Sequence, residues 1–321
     1  MTSRTIVVLG GTGFVGTELA GRLAARGDVR LRLLTRDPAR ARHLAVLPGV
    51  ELVRGNVHEA PVLRRAFAGA DAVVNLVGIL NESGFSGRGF ERAHADLAEK
   101  VVATASYERV PRLVHMSSLG AAEDGPSHYL RSKGRAEAHL RRAPGALQWT
   151  ILRPSVIFGA QDSLTRRFAS LLRLSGGVLP LARAGAKLQP IHVGDVARAF
   201  EIALDGGTPQ GQSYDLGGPE IMTLRELVER VGEMSGTAAR VIPLPDAISR
   251  VQAFVMDFVP GHPFSTDNYR SLSVDSVCRE DGCARLGIRP AALGALAPAW
   301  LGTRERNARR ARLRASGSRA S

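Results

Sequence analysis

A glycine-rich turn near the amino terminus restricts the fold of this chain more than any other feature of its sequence. Residues 5–9 form an apolar run typical of a buried strand, and glycines then recur at Gly10, Gly13 and Gly16. Over residues 14–26, apolar side chains recur every four positions, which predicts a helix that packs one face on a core. A strand, a tight glycine turn and a helix in this order favour a βαβ unit whose helix N-terminus binds a phosphate group.

The remainder of the first half repeats this alternation of strand and helix. Further strand-like runs cover residues 30–35, 51–54, 72–76, 112–116 and 149–153. Because each helix between two such strands crosses over the sheet, the strands are expected to pair in parallel. We therefore expect an α/β fold, namely a Rossmann-type doubly wound parallel sheet with a small C-terminal substrate lobe.

The sequence pattern loosens after the sixth strand-like run, where Gly and Pro become more frequent, and this divides the chain into three parts. We expect a nucleotide-binding Rossmann core in residues 1–155 and the remaining sheet edge plus the small substrate lobe in residues 156–303. Residues 304–321 are expected to form a basic, disordered tail.

The composition is that of a globular protein with an excess of arginine. The chain has 321 residues, 44% of them hydrophobic and 23% charged, which excludes a collagen or a fully disordered chain. The formal net charge is +13, and Lys100, Lys133 and Lys187 are the only lysines. The arginine-rich tail is typical of a solvated segment or of an arm for an anionic lipid surface. Basic residues are not interleaved with aromatic ones, which argues against nucleic acid as a partner.

Cysteine usage and hydropathy favour a cytoplasmic protein. Cys278 and Cys283 lack the further ligands of a zinc site and the partners of a disulfide framework, so we expect reduced thiols and no metal. The sequence shows no secretory leader, and no run approaches the roughly 20 apolar residues that a helix needs to cross a bilayer.

The glycine turn predicts a dinucleotide site. Its candidate residues are Gly10, Thr12, Gly13, Phe14, Val15 and Gly16. In such folds the ribose of the cofactor is bound about 20 residues later, at the end of the second strand. Arg36 at that position favours the 2′-phosphate of NADP(H), whereas the adjacent Asp37 leaves NAD(H) open. The ends of the next two strands add further cofactor-binding candidates, which are Asn56, Val57 and Val77.

Ser118, Tyr129 and Lys133 form a candidate catalytic set, which we call the Ser-Tyr-Lys set. Tyr129 and Lys133 are four residues apart, so a helix would place both on one face. A nearby ammonium favours the phenolate of a tyrosine, which otherwise titrates near pH ~10. Tyr129 could then exchange a proton with a carbinol oxygen while Ser118 orients the carbonyl and Lys133 also holds the nicotinamide ribose. The alternative is a solvated helix face that carries the tyrosine–lysine pair by chance.

These motifs together resemble the extended or atypical, epimerase/dehydratase-like branch of the short-chain dehydrogenase/reductase superfamily. The resemblance is carried by the glycine turn, by residues 75–78, by the Ser-Tyr-Lys set and by residues 153–159. It implies a bound NAD(P) and catalytic roles for Tyr129 and Lys133, and it adds Pro154 to the cofactor-binding residues. Extended members usually carry an asparagine where this chain has His94, which weakens an assignment to sugar epimerase chemistry. His94 is expected to be a core or rim histidine, or a substitute polar group at the site.

Three further segments are similar to bacterial relatives of the short-chain-dehydrogenase-like accessory subunit of respiratory complex I. They are residues 189–196, 260–267 and 286–290. That subunit is thought to bind NADP(H) without turning it over. Two main functions therefore stay open, and a redox sensor is a weaker third. One is an oxidoreductase that transfers hydride to or from a small-molecule carbonyl or carbinol. The other is a non-catalytic subunit or assembly factor of a respiratory complex. It would be held peripherally on the inner face of the membrane through the C-terminal lobe and the basic tail.

Overall fold

Short strands and helices alternate along the whole of the described chain. The computed structural model describes residues 3–82, 84–259 and 264–302. Its strands are β1 (Arg4–Leu9), β2 (Val29–Thr35), β3 (Val50–Arg54), β4 (Ala72–Asn75), β5 (Arg112–Met116), β6 (Gln148–Pro154), β7 (Ile157–Phe158), β8 (Val178–Leu181), β9 (Lys187–Leu188), β10 (Ile191–His192), β11 (Gln212–Leu216), β12 (Met222–Thr223) and β13 (Arg240–Pro243). Its α-helices are α1 (Phe14–Ala24), α2 (Ala60–Phe67), α3 (Arg88–Tyr107), α4 (His128–Arg141), α5 (Leu164–Leu174), α6 (Val193–Leu204), α7 (Leu224–Ser235), α8 (Asp246–Met256), α9 (Thr266–Ser271), α10 (Gly282–Arg285), α11 (Leu293–Leu296) and α12 (Pro298–Leu301), and a 3-10 helix covers Pro38–Leu44.

A parallel sheet organises the first half of the chain. Among the described residues, seven strands form this sheet in the order β11-β6-β5-β4-β1-β2-β3. Every neighbouring pair in it is parallel. The direction of winding reverses between β1 and β4, and ligands of such sheets bind at the carboxyl ends of the strands beside that point. The predicted doubly wound Rossmann-type sheet is confirmed.

The side chains of β1 show how both faces of the sheet are buried. Ile6 and Val8 belong to a core beneath α1 and α6, whereas Val7 and Leu9 belong to a second core beneath α2, α3 and α4. A strand that is covered on both faces needs this nearly continuous apolar run. The glycine turn therefore begins at the end of a strand that two cores hold in place.

A third apolar cluster forms the core of the C-terminal lobe. We use this name for the elements α5, β8, β9, β12, α7, β13, α8 and α9. Leu172 of α5 and Val231 of α7 are fully buried in this cluster, and Leu301 of α12 packs against them. The spacing Thr223-x-x-Glu226 predicts a capping box, and the structure confirms one at the start of α7.

The sequence also predicts that Asp195 caps a helix, and this prediction is wrong. Helix α6 begins two residues earlier, where Nδ1 of His192 accepts a hydrogen bond of 3.2 Å from the N–H of Gly194. Asp195 lies in the first turn, and its carboxylate accepts a hydrogen bond of 2.9 Å from the N–H of Ala291. A histidine ring nitrogen can also accept at a helix start, and the local sequence cannot show that Asp195 has a distant partner.

Strand β11 comes from the part of the chain after residue 155, so the main sheet draws on both of the first two predicted parts. The division at residue 155 stays a prediction. The basic tail and residues 260–263 of the predicted segment 260–267 lie outside the described residues. Within the described ranges, no helix combines the length and the apolarity that a membrane span requires.

Candidate functional site

The glycine turn brings the backbone of α1 into direct contact with the end of β1. Gly10 has a φ of +76°, which favours glycine, and its carbonyl oxygen accepts a hydrogen bond of 3.0 Å from the N–H of Gly13. A methyl group built on Gly16 would lie only 2.4 Å from that same oxygen. Any larger residue at position 16 would therefore push α1 away from the turn.

The start of α1 has the properties of an anion site. Its N-cap is Gly13, no side chain caps it, and no acidic residue lies in its first turn. The first N–H groups of a helix lack partners within the helix and carry a partial positive charge, which suits a diphosphate. Thr12 and Phe14 are half-buried beside the turn, whereas the side chain of Val15 packs into the core, which leaves its backbone as the contacting group.

At the end of β2, the side chains of the neighbouring residues Arg36 and Asp37 have different surroundings. The Asp37 carboxylate accepts hydrogen bonds from the N–H groups of Ala39 and Arg40 and forms an ion pair of 3.3 Å with the Arg40 guanidinium. It is therefore engaged as the cap of the 3-10 helix. Arg36 is exposed and forms no ion pair with any described residue. This arrangement offers a guanidinium where the cofactor ribose is expected.

Two cations that the sequence analysis did not single out lie near the same end of the site. The pKa of His58 is lowered below its ordinary value, chiefly by burial and then by the charges of Arg92, Lys100 and Arg36, whereas the nearby Asp96 carboxylate acts in the opposite direction. The Lys100 ammonium also donates a hydrogen bond of 3.4 Å to the His58 carbonyl. Arg92 and Lys100 are on α3, far from Arg36 in sequence, so only the contact of α3 with the loop after β3 reveals the group.

The loops after β3 and β4 form the walls between these ends. Oδ1 of Asn56 accepts a hydrogen bond of 3.2 Å from the N–H of His58, which fixes the turn after β3. Oδ1 of the buried Asn75 accepts one of 3.2 Å from the N–H of Val77. Val57 and Val77 are half-buried and pack on the core beneath α2, α3 and α4.

Lys133 is a buried ammonium on the inner face of α4. Its side chain is 3% exposed, and Nζ donates a hydrogen bond of 2.9 Å to the carbonyl of Met116, at the end of β5. Burial lowers the pKa of Lys133 to about 8, although the nearby Glu137 carboxylate acts in the opposite direction. A methyl group on Gly78 would lie 3.4 Å from Nζ, so the loop after β4 passes directly over this ammonium.

Tyr129 lies one helical turn before Lys133, as the sequence predicts, and it is half-buried. Its ring packs edge-on against His94, with centroids 5.5 Å apart, and against Phe90 at 6.0 Å. Burial raises the pKa of Tyr129, the neighbouring Ser118 hydroxyl lowers it, and Asp267 raises it further. The phenol is thus held in its protonated form near neutral pH. The expectation that the Lys133 ammonium favours the phenolate is not met, because burial raises the pKa of Tyr129 and Lys133 is not among the groups that shift it.

The serine hydroxyls after β5 are buried polar groups without a partner. By distance and angle, Oγ of Ser118 and Oγ of Ser117 have no hydrogen-bond partner among the described residues, although the Ser118 hydroxyl is close enough to Tyr129 to lower its pKa. A buried hydroxyl without a partner costs free energy, and such groups are often found where a ligand completes the hydrogen bonding. The Ser118 hydroxyl is therefore free to bind a substrate oxygen next to Tyr129.

His94 is a core histidine that joins three parts of the site. Its side chain is 1% exposed, Nε2 accepts a hydrogen bond of 3.1 Å from the N–H of Ile79, and Nδ1 lies 2.8 Å from Oγ of Ser132. Burial, followed by the charges of Lys133 and His115, lowers the pKa of His94 to about 2. The neutral ring connects the loop after β4 to α3 and α4.

Asp267 of α9 caps the helix that carries Tyr129, a role that the sequence analysis did not assign. Its Oδ1 accepts a hydrogen bond of 2.7 Å from the N–H of His128, and its Oδ2 accepts one of 3.1 Å from the N–H of Tyr129. A carboxylate is favourable at a helix N-terminus, but nothing in the local sequence indicates which distant carboxylate supplies it. The C-terminal lobe therefore holds the start of α4 directly.

Pro154 is buried at the end of β6, where its carbonyl accepts a hydrogen bond of 3.1 Å from the N–H of Leu119. This bond positions the segment that follows Ser118. The adjacent Arg153 donates to the buried Glu137 carboxylate at 2.7 Å, which joins β6 to α4.

The predicted site residues thus gather along the carboxyl edge of the sheet, with the glycine turn in one part of the site and the Ser-Tyr-Lys set in another. Comparison with known proteins identifies the family. A sequence model described as NAD(P)H-binding matches residues 10–171. The chain belongs to this NAD(P)H-binding family. The resemblance to the epimerase/dehydratase-like short-chain dehydrogenase/reductases and the expectation of an NAD(P) cofactor are both confirmed.

Relatives within the NAD(P)H-binding family include a respiratory subunit and a reductase. The chain is 33% identical over 279 residues to NADH dehydrogenase (ubiquinone) 1 alpha subcomplex subunit 9, mitochondrial, of Arabidopsis thaliana, which covers 84% of this chain and 68% of that protein. It is 31% identical over 251 residues to the ceramide reductase of Caulobacter vibrioides, which covers 75% of this chain and 74% of that protein. The family is thus one of NAD(P)H-binding oxidoreductases and of subunits related to them.

Solved structures show the same fold. The dTDP-glucose 4,6-dehydratase of Streptomyces venezuelae, determined with NAD bound, superimposes with a TM-score of 0.71 at 21% identity, over 92% of this chain and 95% of that one. This likeness shows the architecture that the NAD(P)H-binding family shares.

Proposed function

We propose that the protein is an NADP(H)-dependent oxidoreductase that transfers hydride to or from a carbonyl or carbinol group, with Ser118, Tyr129 and Lys133 as its catalytic residues. The observation that carries the proposal is the combination of a protonated Tyr129 phenol, a buried Lys133 ammonium one turn away and a Ser118 hydroxyl without a partner. The buried Lys133 ammonium and the buried Ser118 hydroxyl without a geometric partner both carry a cost in stability.

The side chains divide the work of a carbonyl reduction. The bound nicotinamide would supply hydride. The Ser118 hydroxyl donates a hydrogen bond to the substrate oxygen and orients it. Tyr129, whose pKa is raised, would donate the proton that this oxygen needs. In this proposal the ammonium of Lys133, one helical turn away on α4, would stabilise the phenolate that remains.

The charges at the other end of the site favour NADP(H) over NAD(H). Arg36 is exposed and unpaired among the described residues, Arg92 and Lys100 lie close by, and Asp37 is engaged in a cap. A 2′-phosphate gains charge-assisted hydrogen bonds from such a group, whereas a free acid would favour a 2′-hydroxyl. Titration calorimetry of the protein with NADPH and with NADH tests this choice, and equal affinity for both would contradict it.

The Tyr129→Phe variant tests the hydride-transfer proposal. It removes the proton donor and keeps the ring contacts with His94 and Phe90, so we expect NADPH binding to stay unchanged while turnover of a carbonyl panel falls by about 10²- to 10⁴-fold. Tyr107→Phe is the matched control, because Tyr107 is an exposed tyrosine at the end of α3. Equal turnover in the Tyr129→Phe variant and the native protein would refute the assignment.

The second candidate is a cofactor-holding, non-catalytic subunit or assembly factor of a respiratory complex, held peripherally at the inner face of the membrane. The similarity to the Arabidopsis thaliana subunit favours it. In that case the protein would contain bound nucleotide, would show no turnover of any carbonyl or quinone tested, and would co-purify with the complex. Turnover that depends on Tyr129 would exclude it.

A further inference from the structure

His58, in the loop after β3, has a buried ring nitrogen without a partner. Its backbone N–H donates a hydrogen bond of 3.2 Å to Oδ1 of Asn56, which fixes the residue in the turn. Its Nδ1 is buried and has no hydrogen-bond partner among the described residues. Such an atom costs free energy and often marks a place where a ligand completes the hydrogen bonding. The ring is therefore placed to bind a group that the described chain does not supply.

Two further elements reach the loop that carries His58. Strand β2 ends beside it, because the carbonyl of Thr35 accepts a hydrogen bond of 2.9 Å from the N–H of Gly55. Arg36 directly follows Thr35 and is exposed. Helix α3 contacts the same loop, where the ammonium of Lys100 donates a hydrogen bond of 3.4 Å to the His58 carbonyl. His58 is therefore close both to the end of β2 and to α3.

The charges around His58 are mainly positive. Arg92, Asp96 and Lys100 follow one another at intervals of four residues on α3, so they share one face of the helix. Neither the two cations of this face nor Arg36 forms an ion pair within the part of the chain that the structure describes. Burial lowers the pKa of His58 below its ordinary value, the three cations lower it further, and the Asp96 carboxylate acts in the opposite direction. The ring is therefore neutral at pH 7 while no anion is bound beside it.

We propose that His58 binds the 2′-phosphate of NADP(H) together with Arg36 and takes up a proton from the solvent as it does so. The inference rests on the proposed function, which places this phosphate at Arg36. The phosphate brings the acceptor oxygens that Nδ1 of His58 lacks. Its two negative charges also offset the cations that keep a proton off the ring. The bound phosphate and the proton on His58 therefore favour each other.

This coupling fixes the direction of a pH dependence. The pKa of His58 is low in the free protein and rises when the phosphate is bound, so the affinity for NADP(H) increases as the pH falls through that range. NAD(H) has an uncharged 2′-hydroxyl at this position, so its binding takes up no proton at His58. Measurements above pH ~6 avoid protonation of the phosphate itself.

Calorimetric titration of the full chain with NADP⁺ and with NAD⁺ tests the proposal, because the two differ only in the 2′-phosphate. Any effect of Lys133, whose pKa is about 8, is common to both. In buffers without phosphate, we expect the ratio of NADP⁺ affinity to NAD⁺ affinity to be about 3- to 10-fold larger at pH 6.5 than at pH 8.5. Titrations in two buffers of different protonation enthalpy should show uptake of part of a proton with NADP⁺ and none with NAD⁺.

The His58→Asn variant removes the titrating ring and keeps a polar side chain. We expect its NADP⁺ affinity at pH 6.5 to be about 10-fold lower, its NAD⁺ affinity to be unchanged and the pH dependence of the ratio to be lost. His43→Asn is the matched control, because His43 is an exposed histidine on the 3-10 helix that follows β2. It should bind both cofactors like the native protein. Thermal melting checks that both variants are folded.

Nuclear magnetic resonance of the native protein with isotope-labelled histidine gives a second measurement that depends on no variant for its outcome. The spectrum of His58→Asn serves only to assign the signals of His58. At pH 6.5, NADP⁺ should move the ring nitrogens of His58 to the values of an imidazolium, whereas NAD⁺ should leave them at those of a neutral ring.

Three results would overturn the proposal. One is a His58 ring that stays neutral with NADP⁺ bound, and another is a His58→Asn variant that binds both cofactors as the native protein does. The third is an equal loss of affinity for NADP⁺ and NAD⁺ in that variant, which would place His58 against the adenine or in a purely structural role. A failure of the proposed function is distinct, because the native protein would then bind NADP⁺ and NAD⁺ equally at every pH.

Discussion

At the scale of single residues, the candidate site contains a buried histidine and a buried lysine, and burial disfavours the charged form of both. His94 is the clearest case, since burial lowers its pKa to about 2 while it accepts from the N–H of Ile79. An unfolded histidine titrates near pH ~6.5, so below that pH the unfolded chain binds a proton at this residue that the folded chain does not bind. Stability contributed by the neutral ring is therefore present above pH ~6.5 and is lost as the pH falls.

The His94→Asn variant measures this loss. We expect the free energy of unfolding of the native protein to fall by about 2 kcal/mol more than that of the variant between pH 7 and pH 5, from about 1.4 kcal/mol per pH unit. Chemical denaturation at the two pH values provides the measurement. His43→Asn is the control, because His43 is exposed and its replacement should leave the pH dependence as it is. Identical pH dependence in the His94→Asn variant and the native protein would show that His94 is charged or accessible in the fold.

At the scale of elements, α9 of the C-terminal lobe and α4 of the sheet domain are joined by one carboxylate. Asp267 accepts from the N–H groups of His128 and Tyr129, and Oγ of Ser271 donates a hydrogen bond of 2.8 Å to Oγ of Ser127, the N-cap of α4. The lobe therefore positions the helix that carries Tyr129, and the charge of Asp267 raises the pKa of that phenol.

Asp267→Asn removes the charge and leaves one of the two N–H groups without an acceptor. We expect the loss of about 1 kcal/mol of unfolding free energy, as for other helix caps. We also expect the alkaline limb of the carbonyl-reduction rate to move to lower pH, because the pKa of Tyr129 falls when the neighbouring negative charge is removed. Rate–pH profiles test this point, with Asp124→Asn as the control at an exposed acid just before α4. A structural cap alone would lower stability and leave the profile in place.

The elements also show which parts of the structure can be predicted from the sequence and which cannot. The strand at residues 112–116 is predicted with the same bounds that the structure shows. Its signal is the adjacent pair Leu113 and Val114, whose side chains are buried in the two cores on opposite faces of the sheet. Strand β11 carries no such signal, since Gln212 and Ser213 begin it and only Tyr214 and Leu216 are buried. The cap that Asp267 forms on α4 and the hydrogen bond that Asp195 accepts from Ala291 depend on partners far away in sequence, which no local pattern can reveal.

At the scale of the whole molecule, the residues before and after position 155 pack against each other in one sheet and one core. Helix α6 packs against α1, where its Val196 and Phe200 are fully buried in the core that also holds Val8 of β1. Strand β11 pairs with β6 and completes the sheet. Burying a large apolar side chain contributes about 1.5–3 kcal/mol. The contacts of α6 alone therefore approach the net stability of a domain, which is about 5–15 kcal/mol.

The contacts of α6 with α1 and of β11 with β6 predict how two fragments of the chain behave. Residues 1–302 should unfold cooperatively at the same temperature as the full chain and bind NADPH with the same affinity, because they keep every contact of the described core. Residues 1–155, although they contain the glycine turn, the Ser-Tyr-Lys set and six of the seven sheet strands, should aggregate or remain unfolded, since the α6 face of β1 is left uncovered. Calorimetric melting and NADPH titration of the two fragments provide the measurement. A cooperative transition with NADPH binding in residues 1–155 would establish them as an independent domain, and α6 and β11 would then be additions to the core rather than parts of it.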